Sequence, residues 1–430
     1  MNNPIHYASG KCLVRRYRTQ NPCRIIACLH VTCRRLPTPL VQQVIWNSLR
    51  RSGRLKNYDF VIVGGGIAGL SLGYELSASS RLLVLEQEDA PGYHTTGRSA
   101  AIYSELMLEP TLLSLAVESK RFFIDPPNLF AQTPLVKTCG CLFVGGSKDK
   151  QNIEAACQRM NDLGVECQVI DGDDIAKRVP VARQHADAVF CGLFEPNAMR
   201  IDVDQLMQSY VKGITARGGV IAKKAAVLAL EKSANQWVIT TSKGPFSAST
   251  LINAAGAWGD RIAELAGVAP MGLDPRRRTM ITFDAPQDYD ITSWPPLGDF
   301  NGSYYYMPDA GQLAGSLSDE TPSPPCDAQP EEIDIATAAY TIEQNTHLEI
   351  KKINHSWAGL RTFAPDRLPV IGPDPEDKHF FWCVGQGGSG IETAPALSKL
   401  AARIALNDEA EAMAAGIGVD LELLSPARFR

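Results

Sequence analysis

Tyr58-Asp-Phe-Val-Ile-Val63-Gly64-Gly-Gly66-Ile-Ala-Gly69, a helical run, and then Leu82-Leu-Val-Leu-Glu86 is the stretch that decides the fold. Tyr58 to Val63 reads as a buried parallel strand, because it is a short unbroken apolar run ending in glycines. Gly64, Gly66 and Gly69 have the G-x-G-x-x-G spacing expected where such a strand turns into a helix. Gly64 permits the tight turn, Gly66 lets backbone approach a pyrophosphate, and Gly69 lets the helix pack on the strand. The helix is expected from Ile67 to about Ser79, with its first N–H groups and Ala68 aimed at the diphosphate. Leu82 to Leu85 reads as the second strand. Glu86 follows Gly64 by 22 residues, close to the ~20 expected of a carboxylate that accepts hydrogen bonds from ribose hydroxyls. A dinucleotide site is the reading.

Three later segments bear on which dinucleotide. Gly92-Tyr-His-Thr95-Thr96-Gly97-Arg98-Ser99-Ala100-Ala101 follows the second strand almost at once, where a nicotinamide domain would start another helix. Its small and hydroxyl residues suit a flat ring and its phosphates; a solvated loop has the same composition. Leu251-Ile-Asn-Ala-Ala-Gly256-Ala-Trp258-Gly-Asp260 reads as another strand, turn and helix. Gly385-Gln-Gly-Gly388-Ser-Gly390-Ile391-Glu392-Thr393 opens the last long helix, whose N-terminus would stabilise negative charge on a reduced flavin.

With these residues in view, the chain resembles the glycine/D-amino acid oxidase family of FAD enzymes, most closely its bacterial D-arginine dehydrogenase branch. The resemblance rests on Gly92–Ala101, Asn253-Ala-Ala-Gly-Ala-Trp258, Pro275-Arg-Arg-Arg278, Tyr305 with Pro308-Asp-Ala-Gly311, Trp357-Ala-Gly-Leu-Arg361, and Gln386-Gly-Gly388 with Gly390-Ile391. It covers roughly residues 57 to 430. It implies an α/β fold: a Rossmann-like FAD-binding domain of glutathione-reductase type, with an α+β substrate domain on a mixed sheet. Residues 57–115, 198–270 and 362–430 would form the FAD-binding domain, and 116–197 with 271–361 the substrate domain. FAD would lie against Gly64, Gly66, Ala68, Gly69, Glu86 and Gln87, and against Thr95, Thr96, Gly97, Arg98, Ser99, Ala100 and Ile102. Val227, Gly256, Gly388, Gly390, Ile391, Glu392 and Thr393 would complete the cofactor set.

The resemblance also implies the chemistry. An enzyme that oxidises an amino acid at flavin must anchor the carboxylate and place Cα–H over the ring. Arg278 and Arg361 are singled out as that anchor, because guanidinium binds carboxylate bidentately, with the Tyr305 hydroxyl as a third donor. The alternatives are a surface Arg278 within its arginine run and an Arg361–Asp366 ion pair. Tyr304 and Tyr306 alternate to the opposite face of that strand and read as packing. At three positions this chain departs from the branch: Ile102 stands where the relatives have a histidine, Cys141 where they have a glutamate, and Met107 where they have a lid tyrosine. The expected pocket is therefore apolar, and Glu105 reads as an exposed lid residue. The implied reaction is oxidation of a neutral D-amino acid to the imino acid, then hydrolysis to 2-oxo acid and ammonia. Glycine or an N-methyl amino acid is the alternative substrate, and a flavin-bearing subunit of a larger complex the alternative role. The electron acceptor would be O2 or a quinone-type molecule.

Composition sets the outer bounds. At 430 residues, 45% hydrophobic and 21% charged, the chain has the length of two or three domains and a globular composition. No stretch approaches the ~20 apolar residues of a membrane span. The net charge of −5 hides an asymmetry, with eleven Lys or Arg and no acid in residues 1–58. The remainder carries 31 basic and 47 acidic side chains, which argues against a nucleic-acid partner. Residues 1–56 read as a basic leader, either a mis-assigned start or a mitochondrial targeting segment. A metal knuckle from its cysteines and His30 fits no common zinc spacing. No metal site is expected. The seven later cysteines form no disulfide framework and suit reduced thiols in a cytoplasmic enzyme, with peripheral membrane association left open. Thr321-Pro-Ser-Pro-Pro325 reads as a mobile loop.

Overall fold

Phe60–Val63 and Leu82–Leu85 are buried at every residue, which is why both read as unbroken apolar runs instead of alternating patterns. The computed structural model describes residues 56–106, 108–183, 189–233 and 235–430; the leader and Met107 lie outside the described residues. Strand Lys56–Val63 runs parallel between Leu82–Leu85 and Gly244–Asn253. Val220–Ala222 extends the sheet past Leu82–Leu85. The far half of Gly244–Asn253 pairs in parallel with Phe380–Val384, and its near half with the antiparallel ribbon Val227–Ser233 and Gln236–Thr241. The strand expected at Leu251 is thus the far half of a longer one.

One face of this sheet carries helices Ile67–Leu76, Pro110–Ile124, Val203–Ala216 and Gly390–Leu406, packed through Leu70, Leu206, Tyr210 and Leu397 onto Ile62 and Val84. Trp237, Phe380, Trp382 and Ile262 fill the other face. The first helix stops at Leu76, short of the expected Ser79. Pro110–Ile124 has no counterpart among the sequence expectations, although Glu109-Pro110 is a good helix start. Glu109 accepts from the Thr111 and Leu112 N–H groups at 2.8 and 3.3 Å, and proline is tolerated in the first turn.

A second sheet of nine strands is mixed, as the fold class requires. Its order is Thr321–Pro322, Asp274–Asp284, Gln312–Ser316, Tyr305–Asp309, Leu297–Asp299, Cys141–Gly145, Cys191–Glu195 and Gln168–Asp171, with Ile353–Phe363 also on Asp274–Asp284. Leu297–Asp299 and Cys141–Gly145 are its parallel pair. Thr321-Pro322 was expected to be loop but pairs with Arg276 and Arg277, because it lies along the free edge that Asp274–Asp284 offers. A small third sheet joins Ile102–Tyr103, Met199–Ile201 and Val136–Thr138.

Gly64 and Gly69 show why the opening motif must be glycine. Gly64 sits at φ +111°, and a Cβ there would fall 2.3 Å from the Ala254 carbonyl oxygen. A Cβ on Gly69 would fall 1.9 Å from the Gly64 carbonyl oxygen, so the helix could not pack on its strand. Gly69→Ala should therefore destabilise the fold by about 3 kcal/mol or more, at the upper end for single substitutions. Thermal unfolding of the flavin-loaded protein measures it; an unchanged Tm would contradict the packing argument.

Candidate flavin and substrate site

The strand-to-helix turn opens onto two adjoining cavities that share Gly66, Thr95, Thr96, Ala254 and Gly256. The larger, about 340 Å³, is walled by the first glycines, Glu86, Gln87, Val227 and Trp258. Glu86 is buried and held by backbone: its Oε2 accepts from Gly65 N–H at 3.0 Å and its Oε1 from Glu88 N–H at 2.9 Å. Burial raises its pKa, and those two N–H groups oppose the rise. Beside it, Thr96 Oγ1 accepts from the Ile67 N–H at 3.1 Å, so the Gly92–Ala101 run caps the helix start.

The second cavity, about 120 Å³, carries the candidate chemistry. Ala68, Arg98, Ser99 and Ala100 line it from one side, Gly388, Gly390 and Ile391 from another, and Arg278, Tyr305 and Arg361 from a third. Strand register explains the last group. Arg276 stands opposite Arg361 and Arg278 opposite Gly359, so Arg278 and Arg361 are diagonal neighbours on one face. Gly359 leaves room beside Arg278, and the Arg98 side chain with the Thr95 Cα fills it.

The two guanidiniums differ in their partners. Arg278 is 12% exposed, donates through Nε to the Asp319 carbonyl at 2.8 Å, and has Glu320 at 3.7 Å. Among the described residues Arg361 has no hydrogen bond and no ion pair; Asp366, its alternative partner, pairs instead with Arg428 at 2.7 Å. Burial and then the Arg278 charge pull the Arg361 pKa below its ordinary value. A half-buried cation beside a like charge, unpaired and facing a cavity, calls for an anion. The Tyr305 hydroxyl donates to Met280 Sδ at 3.0 Å and is close enough to turn to a ligand.

Other expected site residues fall elsewhere. Gly69 packs helix on strand, and a Cβ on Gly97 would lie 2.6 Å from the Gly92 carbonyl oxygen; neither lines a cavity. Thr393 Oγ1 donates back to the Ser389 carbonyl at 2.7 Å. The Arg98 guanidinium is spent on the Ala358 and Ala328 carbonyls, at 2.8 and 3.0 Å, and on Asp327. Ile102 does not line the cavity but packs in one apolar cluster with Met280, Met307, Tyr305 and Trp357, of which Met280 and Tyr305 do. Tyr304 and Tyr306 are buried on the opposite face, as their alternation requires.

Two readings need correction. Glu105 is not exposed: it is buried, accepts from the Tyr103 hydroxyl at 2.7 Å, and pairs with Lys120 at 3.1 Å. Nor is the Cys141 corner free of carboxylates. Cys141 pairs in register with Glu195, and that buried carboxylate accepts from Ser104 Oγ at 2.7 Å and Glu105 N–H at 3.2 Å. Sequence reasoning missed Glu195 because it comes from a strand 54 residues further on, with only its place in an apolar strand as a signal.

The pair of cavities fits FAD. The Thr362 hydroxyl is buried on the cavity wall without a hydrogen-bond partner, and Gly256 at φ +53° has open space where a side chain would point. Gly388 approaches Arg361 so closely that a Cβ would lie 3.3 Å from its Nη1. A dinucleotide cleft opening beside a cavity lined by Arg278, Tyr305 and Arg361 fits a flavin-dependent oxidoreductase.

The comparisons agree. The model of the DAO family, FAD dependent oxidoreductase, matches residues 59–404, and the chain belongs to that family. It is 22% identical to glycine oxidase of Bacillus subtilis over 82% of this chain and 94% of that one. It is 28% identical to L-2-hydroxyglutarate dehydrogenase of Escherichia coli over 50% of this chain, and spans about half, 51%, of that relative's length. The structure resembles glycine oxidase from Geobacillus kaustophilus at TM-score 0.73 and 19% identity, covering 87% of this chain and 99% of that one. The cofactor is FAD, and the protein is an FAD-dependent oxidoreductase. No helix among the described residues is long and apolar enough to cross a membrane.

Thr362→Val should weaken FAD binding about fivefold, since it removes one hydrogen bond of ~1 kcal/mol. Flavin fluorescence on dilution of the yellow protein reads the loss; unchanged retention would show that the cofactor does not use this hydroxyl.

Proposed function

We propose that the protein oxidises a neutral D-amino acid to the imino acid, which water then converts to 2-oxo acid and ammonia. The observation that carries the reading is Arg361: a guanidinium without a protein partner, beside Arg278, facing the cavity that adjoins the dinucleotide cleft. FAD, when bound, supplies a two-electron acceptor. The residues of the chain bind and orient. Arg361 takes the carboxylate, Arg278 adds a second positive charge, and Tyr305 turns its hydroxyl from Met280 to the same group. The anchor fixes one end of the substrate, so the Cα–H direction follows from where its side chain can go. Met280, backed by Ile102, Met307 and Trp357, gives that side chain an apolar surface.

The amine must lose its proton before its electron pair can form the imine. Ile102 offers no base, so the free amine is drawn from the equilibrium in solution. Burying an unpartnered guanidinium or ammonium against this wall costs several kcal/mol, more than the ~1–3 kcal/mol that separates one apolar side chain from another. Neutral substrates therefore win. The match to L-2-hydroxyglutarate dehydrogenase favours a second reading, a 2-hydroxy acid, because the clamp reads the carboxylate and not the group beside it.

Anaerobic bleaching of the flavin by D-leucine, D-methionine, D-arginine, glycine, sarcosine, the L-amino acids and L-2-hydroxyglutarate decides among these. The expected order puts D-leucine and D-methionine first; fastest reduction by D-arginine or by L-2-hydroxyglutarate would overturn it. Reoxidation by O2 against a soluble quinone then assigns the acceptor.

Arg361→Ala should lower kcat/KM at least about 100-fold for every substrate, as loss of a charge-assisted pair of ~3 kcal/mol requires. Arg361→Lys should recover only part of it, because a point charge replaces a two-pronged donor. Steady-state kinetics on the flavin-loaded variants checks both; a loss confined to one substrate would mean that Arg361 reads the side chain.

A further inference from the structure

Behind the apolar wall lies a chain of buried groups that the proposed reaction does not use. Glu392 stands in the first turn of Gly390–Leu406, directly after two residues that line the clamp cavity. Its Oε2 lies 3.4 Å from the Ser104 N–H. The Ser104 hydroxyl donates to Glu195 Oε2 at 2.7 Å, and Glu195 Oε1 accepts from the Glu105 N–H at 3.2 Å. Glu105 takes the Tyr103 hydroxyl and Lys120, and the Lys120 side chain is 28% exposed. The line runs from Glu392, next to the cavity-lining Ile391, to the surface through three carboxylates and one lysine.

Charge decides what such a line does. Lys120 neutralises Glu105, which leaves Glu195 and Glu392 buried with no ion pair between them. The groups that face Glu392 are Glu195 from its strand, Arg361 from Ile353–Phe363, and Ser389 and the Ser104 N–H as uncharged donors. Arg278 lies behind Arg361, and Tyr103, Glu105 and Lys120 lie behind Glu195. Two neighbouring buried acids do not both ionise. We propose that Glu392, joined through Ser104 to Glu195, holds a proton at neutral pH, and that its ionisation lowers the affinity of the clamp cavity for negative charge. Burial pushes the Glu392 carboxyl up to about 8, with Glu195 adding to the rise and Arg361 opposing it. Burial raises Glu195 as well.

The consequence follows from sign. Protonated Glu392 leaves the positive end of its helix and Arg361 uncancelled, so a carboxylate is welcome. Ionised Glu392 places a negative charge at the same spot. Glu392 is thus a positioning residue that sets when the site accepts an anion, and it rests on the FAD-site reading but not on which amino acid is oxidised. Stability has the same sign. A carboxyl raised in the folded state contributes stability fully present below the unfolded value of about 4.3, and lost as pH rises through about 8.

Propionate binding, read from the flavin absorbance of the purified holoenzyme between pH 6 and 9.5, is the first test. The expected result is a roughly tenfold loss of affinity above pH 8 in the unaltered protein, and a level affinity in Glu392→Gln, which copies the protonated form. The second test is the flavin midpoint potential without any amino acid. The unaltered protein should gain about 30 mV of slope per pH unit above pH 8, since one added proton changes a two-electron equilibrium tenfold per unit. Glu392→Gln should lack that slope. Glu195→Gln should move the inflection to lower pH by removing the neighbouring charge, and it decides the matter if Glu392→Gln does not fold. Superimposable pH curves for the unaltered protein and Glu392→Gln, or an unmoved inflection in Glu195→Gln, overturn the proposal. Failure of every amino acid to bleach the flavin would overturn the proposed reaction and leave the potential measurement standing.

Discussion

Two guanidiniums that repel one another are held on one face of a sheet, and the candidate chemistry depends on that constraint. Arg278 and Arg361 are separated by 82 intervening residues, yet the antiparallel pairing of Asp274–Asp284 with Ile353–Phe363 leaves them diagonal neighbours. The pairing is long, running from Asp274 opposite Phe363 to Phe283 opposite Ile353. A ladder of that length absorbs the like-charge cost, since its backbone hydrogen bonds and the Leu360 and Met280 packing hold regardless of what the arginines prefer. Their neighbours differ usefully. Arg277, on the other face, pairs with Glu331 and Asp334, Arg276 with Asp274, and Arg278 with Glu320, so the charge left without a partner is that of Arg361.

The cofactor cleft and the clamp meet because one loop is stapled to one strand. Thr95 Oγ1 donates to the Leu360 carbonyl at 2.6 Å, Arg98 donates to the Ala358 carbonyl, and Trp357 Nε1 donates to the Arg98 carbonyl at 3.0 Å. The same loop caps the first helix through Thr96. The Gly92–Ala101 run therefore fixes the distance between the dinucleotide turn and the arginines, a structural duty that its small, polar composition conceals. Arg98 belongs to that duty. Its charge is used on carbonyls and Asp327 before any phosphate could claim it.

Buried acids give the site a second electrostatic layer. Glu195 sits where an apolar corner was expected, and Glu105 turns inward beside it. Lys120 occupies Glu105, and the Ser104 hydroxyl and the Glu105 N–H occupy Glu195, so neither carboxylate is free to receive a cationic substrate. The arrangement differs from an apolar wall in one respect: its charge changes with pH.

The dinucleotide half of this protein is legible in the residues because it is local. Gly64, Gly66, Gly69 and Glu86 lie within 23 residues; backbone clashes require Gly64 and Gly69 to be glycine, and Glu86 is held by the Gly65 N–H. The long apolar strands and the last helix could be read in the same way, from period and glycine position. Arg278, Tyr305 and Arg361 were reached through family resemblance, since three residues in three separate strands carry no common spacing. What only the tertiary structure decided is pairing across distance: that Arg361 ignores Asp366, that Cys141 faces Glu195, that Glu105 turns inward to Lys120. Each depends on strand register and on which side chain reaches a buried partner first. A one-dimensional pattern records which faces are apolar, but it does not record which strand will lie alongside.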